Sequence, residues 1–363
     1  MRDRGLRRPW FKPLVVLFLF ALVLVEALAT AAPASANSSK FNRSGNILIA
    51  DQFNNRVIEI DRHHNIVWQF GIGPTDLGAT SIIGVNDAQR VGDLTLMAGT
   101  GTPPSTVPTC TDINGCPDNR VLLVDRSGKI VWQYGTFGPG GSGPDQLNTP
   151  VQDTYLPNGR ILITDQANER VIEVNREKEI VWQYGTTGTT GTADNLLSNP
   201  NSAELLDNGH ILISDENNNR AIEVNRDKHI LRTFTAGGTV SGVAFSSRLE
   251  NGNTLLTDSN NSRIVEVNAA DRVVWQYVTN TQKGSNTMPL PTRAVRLHNG
   301  HTLISDQFNS RVIEINRSGR IVFTQGVLNA PGFGGGLLNQ PYDAKVIGDY
   351  TGLTPPFADE GED

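Results

Sequence analysis

Asn299–Gly326 reads NGHTLISDQFNSRVIEINRSGRIVFTQG, and Gly45–Gly71 reads GNILIADQFNNRVIEIDRHHNIVWQFG. Further copies span 158–185, 208–234 and 251–277, and a degenerate one lies between 92 and 135, split by an insertion. Such a repeat settles the architecture before any single residue is interpreted.

The copy at Asn158 shows what one unit does. Asn158-Gly159 is a tight-turn dipeptide, because glycine accepts the positive φ that such turns need. Ile161-Leu162-Ile163 is a short apolar run bounded by turn signals, which suits a strand buried on both faces. Asp165, Asn168 and Arg170 mark a polar loop. Val171–Val174 and Ile180–Tyr184 read as two more strands, the latter ended by Gly185. A fourth strand precedes each Asn-Gly turn, over 150–156, 200–206, 240–249 and 291–297. No window shows sustained helical spacing. Asp165, Asp215, Asp258 and Asp306 recur at intervals of 50, 43 and 48 residues. Four strands with a period in the forties predict an all-β fold: a six-bladed β-propeller of four-stranded antiparallel blades.

Residues 1–36 carry a basic start (Arg2, Arg4, Arg7, Arg8, Lys12), the apolar run Leu14–Val25 and a small-residue pattern, Ala34-Ser35-Ala36. They read as a secretory signal peptide. The expected location is extracellular, or membrane-anchored if the segment stays uncleaved. The whole chain has a net charge of −6, and the segment has five basic and two acidic residues, so the remainder is near −9. That acidity excludes nucleic acid and anionic membranes as partners.

The propeller is expected over 37–350. Its first unit lacks an inner strand, and the run Leu338–Ile347 supplies one, closing the ring and removing its open edges. Residues 351–363 read as an acidic disordered tail. In blade 2 the usual Asp is missing, and an insertion from Gly99 to Asp118 contains both cysteines, Cys110 and Cys116. Two nearby cysteines in an exported chain predict a disulfide.

Two resemblances rest on these residues. The phrase Asp165–Val174, the Gly-rich crossing Gly135–Gly143 and Leu147–Pro150 resemble NHL-repeat six-bladed propellers, over nearly all of the chain after the signal segment. That likeness implies the fold, while its members include scaffolds, lyases and lactonases. Leu156–Leu162 and Gly128–Trp132 look like the propeller of bacterial arylsulfotransferases. That likeness implies a catalytic histidine on an inner strand, where this chain has Gln152-Asp153. The six histidines (His63, His64, His210, His229, His298, His301) fall in turns or at strand starts instead.

Residues repeated in nearly every blade read as architecture: the Asp/Arg pairs as loop ties, and Trp68, Trp132, Trp182 and Trp275 as inter-blade core. Glu59, Glu173, Glu223, Glu266 and Glu314 read as solvated or paired with an adjacent Arg. The informative residues differ between blades at one inner-strand position. Counting two past the proline gives Gln152, Ser202, Arg293 and Asp343, with Asp87 and Gly242 as the equivalents in blades 2 and 5. Around a channel mouth this set suits a small polar ligand or a hydrated Ca²⁺, which needs six to eight oxygens.

No nucleophile elbow, His-Glu-x-x-His zinc site or phosphate loop is present. The expected function is a monomeric binding or interaction module for a protein, glycan or small polar ligand, acting through the loop face and channel mouth. The alternatives are a metal-assisted hydrolase or lyase at the mouth and an arylsulfotransferase-like enzyme.

Overall fold

Each apolar run of the repeat forms a strand in the computed structural model, which describes residues 40–349. The signal-peptide and acidic-tail readings lie outside the described residues. In blade 3 the strands are Pro150–Tyr155, Ile161–Asp165, Arg170–Val174 and Ile180–Tyr184. They are antiparallel, with Ile163 opposite both Asp153 and Ile172. Six such sheets form the ring. The strand Asp343–Val346 pairs with Ile47–Asp51 and completes blade 1, with Ala50 opposite Asp343 and Ile47 opposite Val346. This is a six-bladed β-propeller. Among the described residues no helix is long and apolar enough to cross a membrane.

The second strand is apolar on both sides because each blade packs against two neighbours. Ile161 and Ile163 join Leu96, Ala98, Val121 and Leu123 of blade 2, whereas Leu162 joins Ile211, Ile213 and Ile222 of blade 4. Alternation along one strand thus supplies two separate cores.

The repeated polar residues are ties. Asp165 Oδ2 accepts from Arg170 Nε and Asn168 Nδ2, both at 2.8 Å, and its Oδ1 accepts from the Asn148 backbone N–H at 2.7 Å. Each loop is therefore bound to the crossing segment that enters its own blade. Blade 2 makes the same tie by exchange. Gly99 stands where the Asp belongs, and Asp118, across the insertion, pairs with Arg120 and accepts from the Ile83 N–H at 2.7 Å. A Cβ on Gly99 would lie 2.4 Å from Asp118 Oδ2. The carboxylate has moved to the other end of the inserted hairpin while keeping its place in space.

The glutamates are not solvated. Glu59, Glu173 and Glu266 are buried and paired with arginines of a neighbouring blade: Glu59 with Arg90, Glu173 with Arg226 and Glu266 with Arg296. The indoles also join blades. Trp132 Nε1 donates to the Arg176 carbonyl and Trp182 Nε1 to the Arg226 carbonyl, under stacked guanidinium groups. Replacing Trp182 by Phe removes one hydrogen bond and is expected to cost about 1 kcal/mol in urea unfolding.

Candidate functional site: the channel and the insertion-bearing face

The inner strands of blades 2 to 5 carry a bulge at one place, between Val85 and Asp87, Pro150 and Gln152, Pro200 and Ser202, and Val243 and Phe245. A bulge inserts one residue and re-aims the side chains beside it. By register the ring is Asp343, Asp87, Gln152, Ser202, Phe245 and Arg293, opposite Ala50, Ala98, Thr164, Ser214, Thr257 and Ser305. Phe245 takes the position expected for Gly242. Blade 5 has no proline to count from, and Gly242 precedes the strand at φ +64, donating its N–H to Asn219 Oδ1.

All six ring residues are at most 2% exposed. Arg293 reaches Asp87 at 3.1 Å and Asp343 at 3.2 Å. Lys345, absent from the sequence-based set, bridges the same two carboxylates at 2.6 and 2.5 Å. It lies two residues past Asp343 on the same strand, so period-two alternation was the signal that could have found it. The Arg293 guanidinium also sits 4.4 Å from the Phe245 ring centroid. Burial works to raise the Asp87 carboxyl, but Lys345 and then Arg293 outweigh it and hold it below the usual range.

Asp153 is the fifth charged group, at a position occupied by Ala88, Ala203, Ala294 and Ala344 in four other blades. It is buried, neither carboxyl oxygen accepts a hydrogen bond from a protein N–H or hydroxyl, and its one side-chain contact of that kind is with the Asp87 carboxyl. Burial first, and then the charge of Asp87, push its pKa well above the usual carboxylate range. Three carboxyls and two cations balance when Asp153 keeps its proton. This set does not fit Ca²⁺: two fixed cations already occupy the carboxylates. Among the described residues no group of three His, Cys, Asp or Glu side chains is placed to hold a metal.

Gln152 and Ser202 are not part of the charged cluster. Gln152 accepts from the Ala203 N–H at 2.6 Å, and Ser202, Ser214 and Ser246 form a hydroxyl chain. Above them Tyr342 of blade 1 reaches Asn201 of blade 4, the opposite blade, through two hydrogen-bond contacts of 2.9 and 3.1 Å. The channel is therefore crossed at its mouth. Around that crossing lie amides: Gln307 donates to Gln52, and Gln52 donates to Asn86.

The same face carries the insertion. Its hairpin extends the strands Leu94–Thr102 and Cys116–Val124 beyond the blade. Cys110 and Cys116 form the expected disulfide, which indicates an oxidising environment. Val107 and Cys110 pack on Phe53 of blade 1, which fixes the hairpin against the ring. Between hairpin and crossing loop lies an open groove of about 620 Å³, lined by Gly101, Pro103, Asp112, Asn114, Pro139 and Asn148 among others. Reducing the disulfide is expected to lower stability by no more than about 2 kcal/mol, read as a shift in urea midpoint, because the closed loop is short.

All six histidines lie outside this face, in turns joining inner to second or third to outer strands. His298 is held by Asp349 at 2.6 Å beside a smaller groove of about 250 Å³ between blades 5 and 6.

No family model and no curated protein matches the chain. Solved structures do. A protein of unknown function from Bacteroides caccae superposes with a TM-score of 0.56 at 16% identity, covering 82% of this chain and 98% of that one. Virginiamycin B lyase from Staphylococcus aureus gives 0.50 at 13% identity, covering 80% and 83%. A streptogramin B lyase gives 0.51 at 10% identity, covering 85% and 86%. The likeness is one of fold.

Proposed function

We propose that this chain is an exported binding module that recognises its ligand on the insertion-bearing face. The observation that carries this reading is the contrast between channel and groove. The channel carboxylates Asp87 and Asp343 are consumed by Arg293 and Lys345, while a groove beside a disulfide-pinned hairpin stands open. Loops on a rigid scaffold are the usual place for recognition. The lyase reading draws on two fold neighbours, one of which is described in a catalytically inactive histidine-to-alanine form. In this chain all six histidines lie in turns away from the insertion-bearing face. The arylsulfotransferase-like reading lacks its inner-strand histidine for the same reason.

The test is a screen of the protein against glycan and peptide arrays beside an Asn114→Trp variant that fills the groove. A ligand held by the wild type and lost by the variant, at an unchanged unfolding midpoint, is the expected result. Equal binding by both proteins would move recognition away from the groove.

A further inference from the structure

The residue after the repeated Asp is Gln52, Gln166, Ser259 and Gln307 in blades 1, 3, 5 and 6, but Glu216 in blade 4. One carboxylate thus replaces a neutral side chain in a recurrent position on the insertion-bearing face. Its setting is unlike that of the structural glutamates. Glu216 Oε2 accepts from Asn201 Nδ2 at 2.8 Å, Asn199 Nδ2 at 3.0 Å and Gln166 Nε2 at 3.5 Å. Among the described residues Oε1 accepts no hydrogen bond, and no Lys, Arg or His pairs with the group. By contrast Glu59, Glu173, Glu223, Glu266 and Glu314 each have an arginine partner. Burial raises the Glu216 carboxyl above its ordinary range, so an incoming cation would relieve a standing electrostatic cost.

The surroundings define what fits. Asn201, which holds Glu216, also meets the Tyr342 hydroxyl that crosses the channel, so a ligand at Glu216 rests on a polar floor and cannot descend to the Arg293 and Lys345 charges. The net charge of −6 favours approach of cations. We propose that the channel mouth binds a cationic N–H donor, a primary ammonium or guanidinium group, with Glu216 Oε1 as its anionic anchor. This rests on the reading that the insertion-bearing face is the binding face, and it assigns the mouth a ligand chemistry distinct from the groove.

The test is a ligand-detected NMR titration of the full chain with butylammonium and with butylguanidinium. Tetramethylammonium, which has no N–H, and butyrate serve as controls. A lysine-containing blocked tripeptide separates the two sources of such a group: preference for the peptide points to a protein partner, and preference for the free amine to a small metabolite. Saturable binding of the N–H cations alone is expected. It should weaken by roughly tenfold or more in Glu216→Gln, which removes a charge-assisted bond. That variant installs the residue blades 1, 3 and 6 already carry, so its unfolding midpoint should hold. Absence of binding, or binding unchanged in Glu216→Gln, would overturn the assignment. Neither result touches the groove, whose own test is Asn114→Trp.

Discussion

Arg293→Met is expected to lower the unfolding free energy by about 3–5 kcal/mol, because it leaves buried carboxylates without their counter-charge. Arg293 is 1% exposed and spans Asp87 of blade 2 and Asp343 of blade 1 from its own place in blade 6. With methionine there, Lys345 alone faces three acids. Asp343 and Lys345 both lie on the strand that closes the ring, so the loss falls on closure itself. The check is urea unfolding followed by tryptophan fluorescence. A double variant, Arg293→Met with Asp87→Asn, should lose clearly less than the sum of the two singles, since the two groups interact directly. Additive losses would mean that the pair is not coupled.

Asp153→Asn should act in the opposite sense, by about 1–3 kcal/mol at neutral and alkaline pH. The folded protein holds the Asp153 proton more tightly than the unfolded chain does, because burial and the neighbouring Asp87 raise its pKa. A group with a raised folded pKa gives stability that is complete below the unfolded value, about 3.9, and is lost as pH rises through the folded value. The amide cannot ionise, so the variant's advantage over the wild type should be near zero at pH 4 and grow with increasing pH. Parallel urea titrations across that range provide the test. A constant difference, or a variant less stable at pH 8, would show that Asp153 has a cationic partner. Four other blades carry alanine at this position, so blade architecture does not require the carboxyl.

The fold was legible because each blade repeats the same local choices: an Asn-Gly turn, an apolar second strand and an Asp-x-x-Asn-x-Arg loop. The ring position was legible wherever a proline marks the start of the inner strand, as at Pro150, Pro200, Pro291 and Pro341. It was misplaced in blade 5, where Phe245 rather than Gly242 faces the channel. The bulge that re-aims this position leaves no signature in a single strand. The pairing state of the ring was not legible either. Whether Asp87 waits for a metal or already holds Arg293 and Lys345 depends on residues 206 and 258 positions away being brought to it by closure. The exchange of Gly99 and Asp118 was hidden in the same way, since the tie is restored in space across an insertion. Glu216 was visible as a departure from the repeat, but its lack of a cationic partner is a property of the folded surroundings.

Two sets of charges are distinct: those in the channel hold the ring, and Glu216 at the mouth is the proposed ligand anchor. The most direct measurement is the butylammonium dissociation constant of Arg293→Met, taken at a temperature where that variant remains folded. A value equal to that of the wild type, beside a lowered unfolding midpoint, is the predicted outcome. Loss of binding in the folded Arg293→Met protein would place the channel charges in the binding site and contradict the separation.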